Sequence, residues 1–324
     1  MDPTIGDNVD GEDLVIRRAA VDALGMQPGS IVVVDPNTGR VLTMVNQKLA
    51  LKSGFIPCST IKLVTALAAL SEHVVERDTM IRLSRYLSMD LTTALAHSNN
   101  EYFGKLGTKL GFDRVIRYAK MMGLGEKAGL EITGEAAGEI PAEGPKFGGM
   151  VLLTAFGEGF QVTPLELAAL LSAIANGGTL YYMQHPLTPY EMDNFTPQIK
   201  RQLELAPNGI PDIKLGMRGA VDYGTAQRAA YDPSEPVLGK TGTCTDFRAG
   251  SHMGWFASFN EVGAHKLVVV VMLTSPVKSV SGGVASAVAG ALYRNLASQK
   301  FFAVGSSRQT DLPEILVTKP CCEQ

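Results

Sequence analysis

Residues 267–273, Leu-Val-Val-Val-Val-Met-Leu, carry no polar side chain, and the four successive valines favour a strand over a helix. A strand that is apolar on both faces has to lie inside a sheet with both faces covered. Two strand-like stretches precede it, residues 237–243 and 253–259. A third signal lies at the other end of the chain: residues 31–34 and 41–45 flank the turn Pro36-Asn37-Thr38-Gly39 as a hairpin. The pattern predicts an α/β (α+β) fold whose antiparallel sheet of about five strands draws on both ends of the chain. Residues 14–24 predict a first helix, with Asp10 or Glu12 near its start and Gly25 at its end, and residues 284–296 predict a closing one. These two helices would flank the sheet, and a mostly helical lobe would be inserted between its halves.

The division that follows is a polar lead at residues 1–12, a sheet lobe at 13–56 and 235–300, a helical lobe at 57–234, and a tail without clear periodicity at 301–324. Residues 1–11 read as loosely held. Within the helical lobe, residues 62–70 are apolar on every face, which marks a central helix rather than an amphipathic one, and Pro57 suits its first turn. Thr163 is the expected N-cap of a helix over residues 164–175, with Pro164 at its first position and Gly177-Gly178 at its stop. Residues 134–149, rich in Gly, Glu and Pro, predict a loop, and residues 179–211, with five prolines, give no clear pattern.

At the mouth of the central helix stands Ser59-Thr60-Ile61-Lys62. Residues three apart on a helix share a face, so a hydroxyl and an amine lie side by side. An amine in a dry pocket can take the proton of such a hydroxyl and make it a nucleophile. Roughly one Ser-x-x-Lys is expected by chance in a chain of this length, so the pair needs partners. They occur in order: Ser98-Asn99-Asn100, then Lys240-Thr241-Gly242-Thr243 on a predicted strand.

Ser-x-x-Lys, Ser-x-Asn and Lys-Thr-Gly in this sequence resemble the transpeptidase domain of penicillin-binding proteins, within the serine D,D-transpeptidase and β-lactamase superfamily. The resemblance extends over residues 13–300 and includes Gly123-Leu124-Gly125, residues 134–141 and the stretch from Gly157-Glu158-Gly159 to Gly177-Gly178. It implies that Ser59 attacks a D-alanyl-D-alanine stem peptide or a β-lactam and forms an acyl-enzyme, with Lys62 as base. Ser98 would relay the proton to the leaving group, and Asn100 would hold the substrate amide. Lys240 would supply a positive charge for the substrate carboxylate and lower the Lys62 pKa. Thr241 and Thr243 would face the cleft on one side of their strand, and Gly242 would leave room for the substrate backbone. The backbone N–H groups of Ser59 and Thr243 would form the oxyanion hole. Two residues depart from the family's habit: Glu158 stands where Gln is usual, and Cys58 where Gly is usual.

The same resemblance implies D,D-transpeptidation in peptidoglycan cross-linking, with stem peptides, β-lactams and cell-wall synthesis proteins as partners and no cofactor. Serine β-lactamase, D,D-carboxypeptidase and a non-enzymatic β-lactam sensor share the motifs. The long segment from Ser98 to Lys240 favours the transpeptidase over a small β-lactamase. A periplasmic or extracytoplasmic place follows from the family, with any membrane attachment through an anchor outside this sequence. A formal net charge of −3 gives no basic excess for nucleic acid, and no apolar run reaches membrane-spanning length.

Rival readings are weaker. Gly239-Lys240-Thr241 ends like a phosphate-binding loop, but Ser234 stands where that loop needs Gly. Gly123-Leu124-Gly125 lacks the third glycine of a dinucleotide site, since Ala128 is there, and reads as a helix stop. The five His show no metal spacing, and His97 reads as a solvated helix residue. Trp255 is expected to pack against the sheet, and Glu158 and Glu166 are expected to be structural, Glu158 through a hydrogen bond. Cys58 and Cys244 each adjoin a motif and read as small buried apolar fillers rather than as a disulfide. Cys321-Cys322-Glu323-Gln324 fits a prenylation box only in its first letter.

Overall fold

The computed structural model describes residues 2–52 and 54–303, so the Cys321 motif and most of the expected tail lie outside the described residues. Its centre is a five-stranded antiparallel sheet built of β1 (Gly29–Val34), β2 (Val41–Val45), β3 (Val237–Asp246), β4 (Ser251–Asn260) and β5 (Val268–Ser275), in the order β2-β1-β5-β4-β3. β5 is the middle strand, as its composition requires. It pairs β1 with Ile31 opposite Val271 and β4 with Phe256 opposite Val271.

Alternation along β5 divides the interior into two cores. Val268, Val270 and Met272 join the larger one, with Leu63, Leu67 and Leu170 of the helical lobe. Val269, Val271 and Leu273 join the other, with Ile16 and Leu24 of the helix Leu14–Leu24 and Leu292 and Leu296 of the helix Gly282–Ser298. Burying one such side chain contributes about 1.5–3 kcal/mol, so a polar residue on either face of β5 would be costly. The central helix Lys62–Ser71 crosses the larger core with all but its last residue buried, and a 3-10 turn, Cys58–Ile61, leads into it.

Several local expectations are corrected. The first helix is capped by Asp13, whose side chain accepts from the N–H of Val15 and Ile16; Glu12 is instead buried, bonded to Thr43, Met44 and Arg17. The polar lead is tied down at Asp7, which pairs with Arg17 at 2.7 Å and accepts from the N–H of Asn46 and Gln47. Periodicity missed the helix Met150–Phe156, which is too short to show two turns of pattern, and the pairing of Thr179–Tyr181 with Ile199–Gln202. The helix Pro164–Ala175 starts as expected, with Thr163 as cap, Pro164 at its first position and Glu166 completing a capping box. Trp255 is fully buried against the sheet and donates its indole N–H to the Ile56 carbonyl at 3.0 Å.

Candidate active site

Three pieces of chain meet where the central helix begins. The Cys58–Ile61 turn brings Ser59, the loop before the helix Asn100–Leu110 brings Ser98, the first residue of that helix is Asn100, and β3 brings Lys240. Asn99 caps that helix through the Tyr102 N–H at 2.8 Å, which fixes the residues on either side of it. Ser98 adopts φ +54 and Cys58 φ +51, left-handed conformations that are strained for any residue other than glycine. Both flank the reacting groups.

Lys62 is the hub. Its Nζ lies 3.0 Å from Ser59 Oγ, 3.0 Å from Ser98 Oγ, 2.7 Å from the Ser98 carbonyl and 2.6 Å from Asn100 Oδ1. Burial, and secondarily the charge of Lys240, push its pKa down to about 6. A neutral amine has two N–H groups and one lone pair. The Ser98 carbonyl and Asn100 Oδ1 can only accept, so they take the two protons. The lone pair is then left for a hydroxyl, Ser59 or Ser98. Ser59 is half-buried, and its Oγ also lies 3.2 Å from the Ala155 carbonyl, on the short helix that periodicity missed.

Lys240 stands on the other side of Ser98. Its Nζ donates to Ser98 Oγ at 2.8 Å and to the Thr241 carbonyl at 3.0 Å. Burial lowers its pKa too, to about 7. The Ser98 hydroxyl therefore bridges two amines, its oxygen 2.8 Å from Lys240 Nζ and 3.0 Å from Lys62 Nζ. That arrangement can pass a proton in either direction without moving a heavy atom.

The two threonines after Lys240 have hydroxyl partners within the fold. Thr241 and Thr243 do share a side, but by alternation it is the side away from the Lys240 ammonium. Thr241 Oγ1 lies 2.6 Å from Thr225 Oγ1, and Thr243 Oγ1 accepts from the Gly282 N–H at 2.8 Å. Gly242 has a more immediate reason to lack a side chain than passage of a substrate. A Cβ there would come within 3.1 Å of the Pro57 carbonyl and 3.2 Å of Cys58 Cβ, so glycine lets β3 approach the Ser59 turn.

The cysteine reading is overturned. Cys58 and Cys244 form a disulfide with Cα atoms 5.5 Å apart across 186 residues of sequence. The signal was present: each adjoins a motif, and motifs that converge on one cleft bring their neighbours together. Glu158 is likewise not held by a side-chain hydrogen bond among the described residues. It is exposed and lines a groove with Ile56, Phe156, Thr243, Cys244 and Phe247. Glu166 is structural as expected, accepting from the N–H of Thr163 at 2.7 Å and Gly125 at 2.9 Å. His97 is exposed beside the Tyr223 ring, and Gly123 ends its helix at φ +91.

Comparison with known proteins gives the family and the fold. The sequence model described as the penicillin binding protein transpeptidase domain matches residues 29–294. Stage V sporulation protein D of Bacillus subtilis is 31% identical over 301 residues, 83% of this chain and 45% of that protein. Peptidoglycan D,D-transpeptidase MrdA of Haemophilus influenzae is 25% identical over 340 residues, 81% of this chain and 52% of that protein. The chain thus spans about half the length of the curated relatives it matches. The crystal structure of Pseudomonas aeruginosa PBP2 in complex with WCK 5153 superposes with a TM-score of 0.75 at 23% identity, covering 92% of this chain and 77% of that one. At that identity the likeness establishes the fold.

Proposed function

The chain belongs to the family of penicillin-binding protein transpeptidase domains, and on that premise we propose that it is a serine D,D-transpeptidase acting on peptidoglycan stem peptides. The observation that carries the reading is the Lys62 amine, buried and set 3.0 Å from both the Ser59 and the Ser98 hydroxyls. Ser59 Oγ attacks the carbonyl of the penultimate D-alanine as its proton passes to Lys62. The Ser59 and Thr243 N–H groups hold the oxyanion, and such donors contribute about 3 kcal/mol each. The proton then leaves Lys62 through Ser98 to the departing D-alanine, with the Lys240 charge holding Ser98 in place. Asn100 turns its Oδ1 to Lys62, so its amide N–H groups remain for the substrate carbonyl.

β3 is an edge strand, so its outer backbone can pair with a peptide laid alongside Thr241, Gly242 and Thr243. The acceptor amine of a second stem peptide then releases the acyl-enzyme, and β-lactams acylate Ser59 by the same attack. No cofactor is required. A structural disulfide fits the oxidising space outside the cytoplasmic membrane, where peptidoglycan is assembled. Among the described residues no helix is long and apolar enough to cross a membrane.

The test is exchange chemistry. A stem peptide ending in D-Ala-D-Ala, incubated with a D-amino acid, should exchange its terminal residue, and Ser59→Ala should abolish the exchange. Hydrolysis of the terminal residue without exchange would make the protein a carboxypeptidase instead. One observation keeps a β-lactamase in view: among the described residues Glu158 makes no side-chain hydrogen bond, and it lies in the groove beside Thr243. Stoichiometric consumption of nitrocefin supports the transpeptidase, whereas sustained turnover that disappears in Glu158→Gln would assign Glu158 as a deacylating base.

A further inference from the structure

We propose that the Cys58–Cys244 disulfide is a positioning element of acyl transfer: it fixes the Ser59 turn against the Lys240 strand, so that its reduction slows acylation in a protein that remains folded. The proposal rests on the acyl-transfer reading above.

The bond sits at an unusual place. Cys58 immediately precedes Ser59, and Cys244 immediately follows Thr243, so the cross-link joins the neighbours of the two N–H groups assigned to the oxyanion hole. Those groups act only if their separation matches a single oxygen atom, and an error of a few tenths of an ångström weakens both hydrogen bonds. The two segments are 186 residues apart in sequence and come from different lobes, so their spacing is a tertiary property.

The backbone supports the same conclusion. Cys58 holds φ +51, which glycine adopts freely and other residues only under strain. A side chain is therefore carried there at a conformational cost, and the covalent bond it makes is what the position gains. Gly242, facing the turn at 3.1 Å from where its Cβ would meet the Pro57 carbonyl, permits the approach but exerts no grip. Charge acts against the approach: Lys62 and Lys240 bring two amines to one hydroxyl from opposite segments, and they repel when both are protonated. The disulfide holds the segments together against that repulsion.

The bond is also reachable. Cys58 is buried, but Cys244 is half-exposed and lines a cavity of about 240 Å³ with Ile56, Phe156, Thr243 and Phe247. A thiolate entering there attacks Cys244 Sγ and forms a mixed disulfide, with Cys58 leaving as thiolate. The second thiolate of the same dithiol attacks the sulfur of the first and expels Cys244 as thiolate, so the dithiol leaves as its disulfide and both cysteines end as thiols. A phosphine does the same in two steps, becoming the phosphine oxide with the oxygen of water.

The experiment uses the full chain, reduced with tris(2-carboxyethyl)phosphine, freed of reductant under nitrogen, and compared with the oxidised protein. Acylation by a fluorescent penicillin is followed across pH, together with final labelling stoichiometry and the thermal transition. Reduction should lower the rate at least tenfold, leave full stoichiometry in time, move the acid limb of the pH profile to higher pH as the two amines relax apart, and be reversed by reoxidation. The Cys58→Gly, Cys244→Ala double variant keeps a residue suited to the backbone and should show the slow rate with or without reductant. Rates within twofold of each other in the two forms would overturn the proposal. So would a loss of stoichiometry that tracks a lost thermal transition, since the bond would then only hold the fold. If neither form is labelled at all, the acyl-transfer reading itself fails.

Discussion

Two buried ionisable groups, Lys62 and Glu166, occupy opposite ends of the helical lobe's chemistry, and burial displaces both. It lowers the amine of Lys62 to about 6, with Lys240 adding to the effect, and raises the carboxyl of Glu166 to about 7 against the pull of its backbone donors. A perturbed pKa alone would nominate either one. Their partners separate them. Glu166 is consumed by the N–H groups of Thr163 and Gly125, which are parts of the backbone and go nowhere. Lys62 shares its amine with two hydroxyls, both on half-buried residues at the cleft. What marks a reactive site here is an ionisable group whose partners can themselves give up protons.

The sharpest way to break that comparison is to remove each group. Lys62→Met should lower acylation about 10²- to 10⁴-fold, the usual range for a general base. Its stability signature has a definite sign. Unfolded Lys62 keeps its proton to about 10.5 and the folded group releases it near 6, so the unfolded chain binds more protons between those values. The parent therefore gains stability as pH rises through that window, and Met cannot. The melting temperature of Lys62→Met relative to the parent should be highest at low pH and decline towards pH 10; a difference independent of pH would refute the buried amine.

Lys240→Ala comes next. It removes a donor to Ser98 and the charge that helps depress Lys62, so acylation should fall by about tenfold or more. The acid limb of the rate profile should also move to higher pH, because Lys62 then holds its proton longer. An unchanged limb would mean that burial alone sets the amine.

Glu166→Gln should have the smallest effect on chemistry and a plain effect on stability. An amide cannot accept from both the Thr163 and Gly125 N–H groups, so one buried donor loses its partner at a cost of about 1–3 kcal/mol. Chemical denaturation should record that loss while the acylation rate stays within twofold of the parent. A large fall in acylation would erase the distinction between the two regions.

The sheet was legible from sequence because its middle strand is apolar on both faces and alternation then assigns Val268 to Leu273 to two cores. The clustering of Ser59, Lys62, Ser98, Asn100 and Lys240 followed the motifs. A motif fixes alternation along a strand but not the partners of its hydroxyls: Thr241 bonds to Thr225, and Thr243 accepts from Gly282 while lining the groove beside Cys244. Ala155 was missed since a backbone carbonyl has no sequence signature. The disulfide has no signature in either cysteine alone; only the convergence of their neighbouring motifs places them together.

The central claim is that Ser59, activated by Lys62, is the group that becomes acylated. Intact-protein mass measurement after incubation with benzylpenicillin, followed by peptide mapping, tests it most directly. The account predicts a single adduct of the antibiotic's mass on the peptide containing Ser59, and none in Ser59→Ala. An adduct mapped to another residue, or retained in Ser59→Ala, would contradict it.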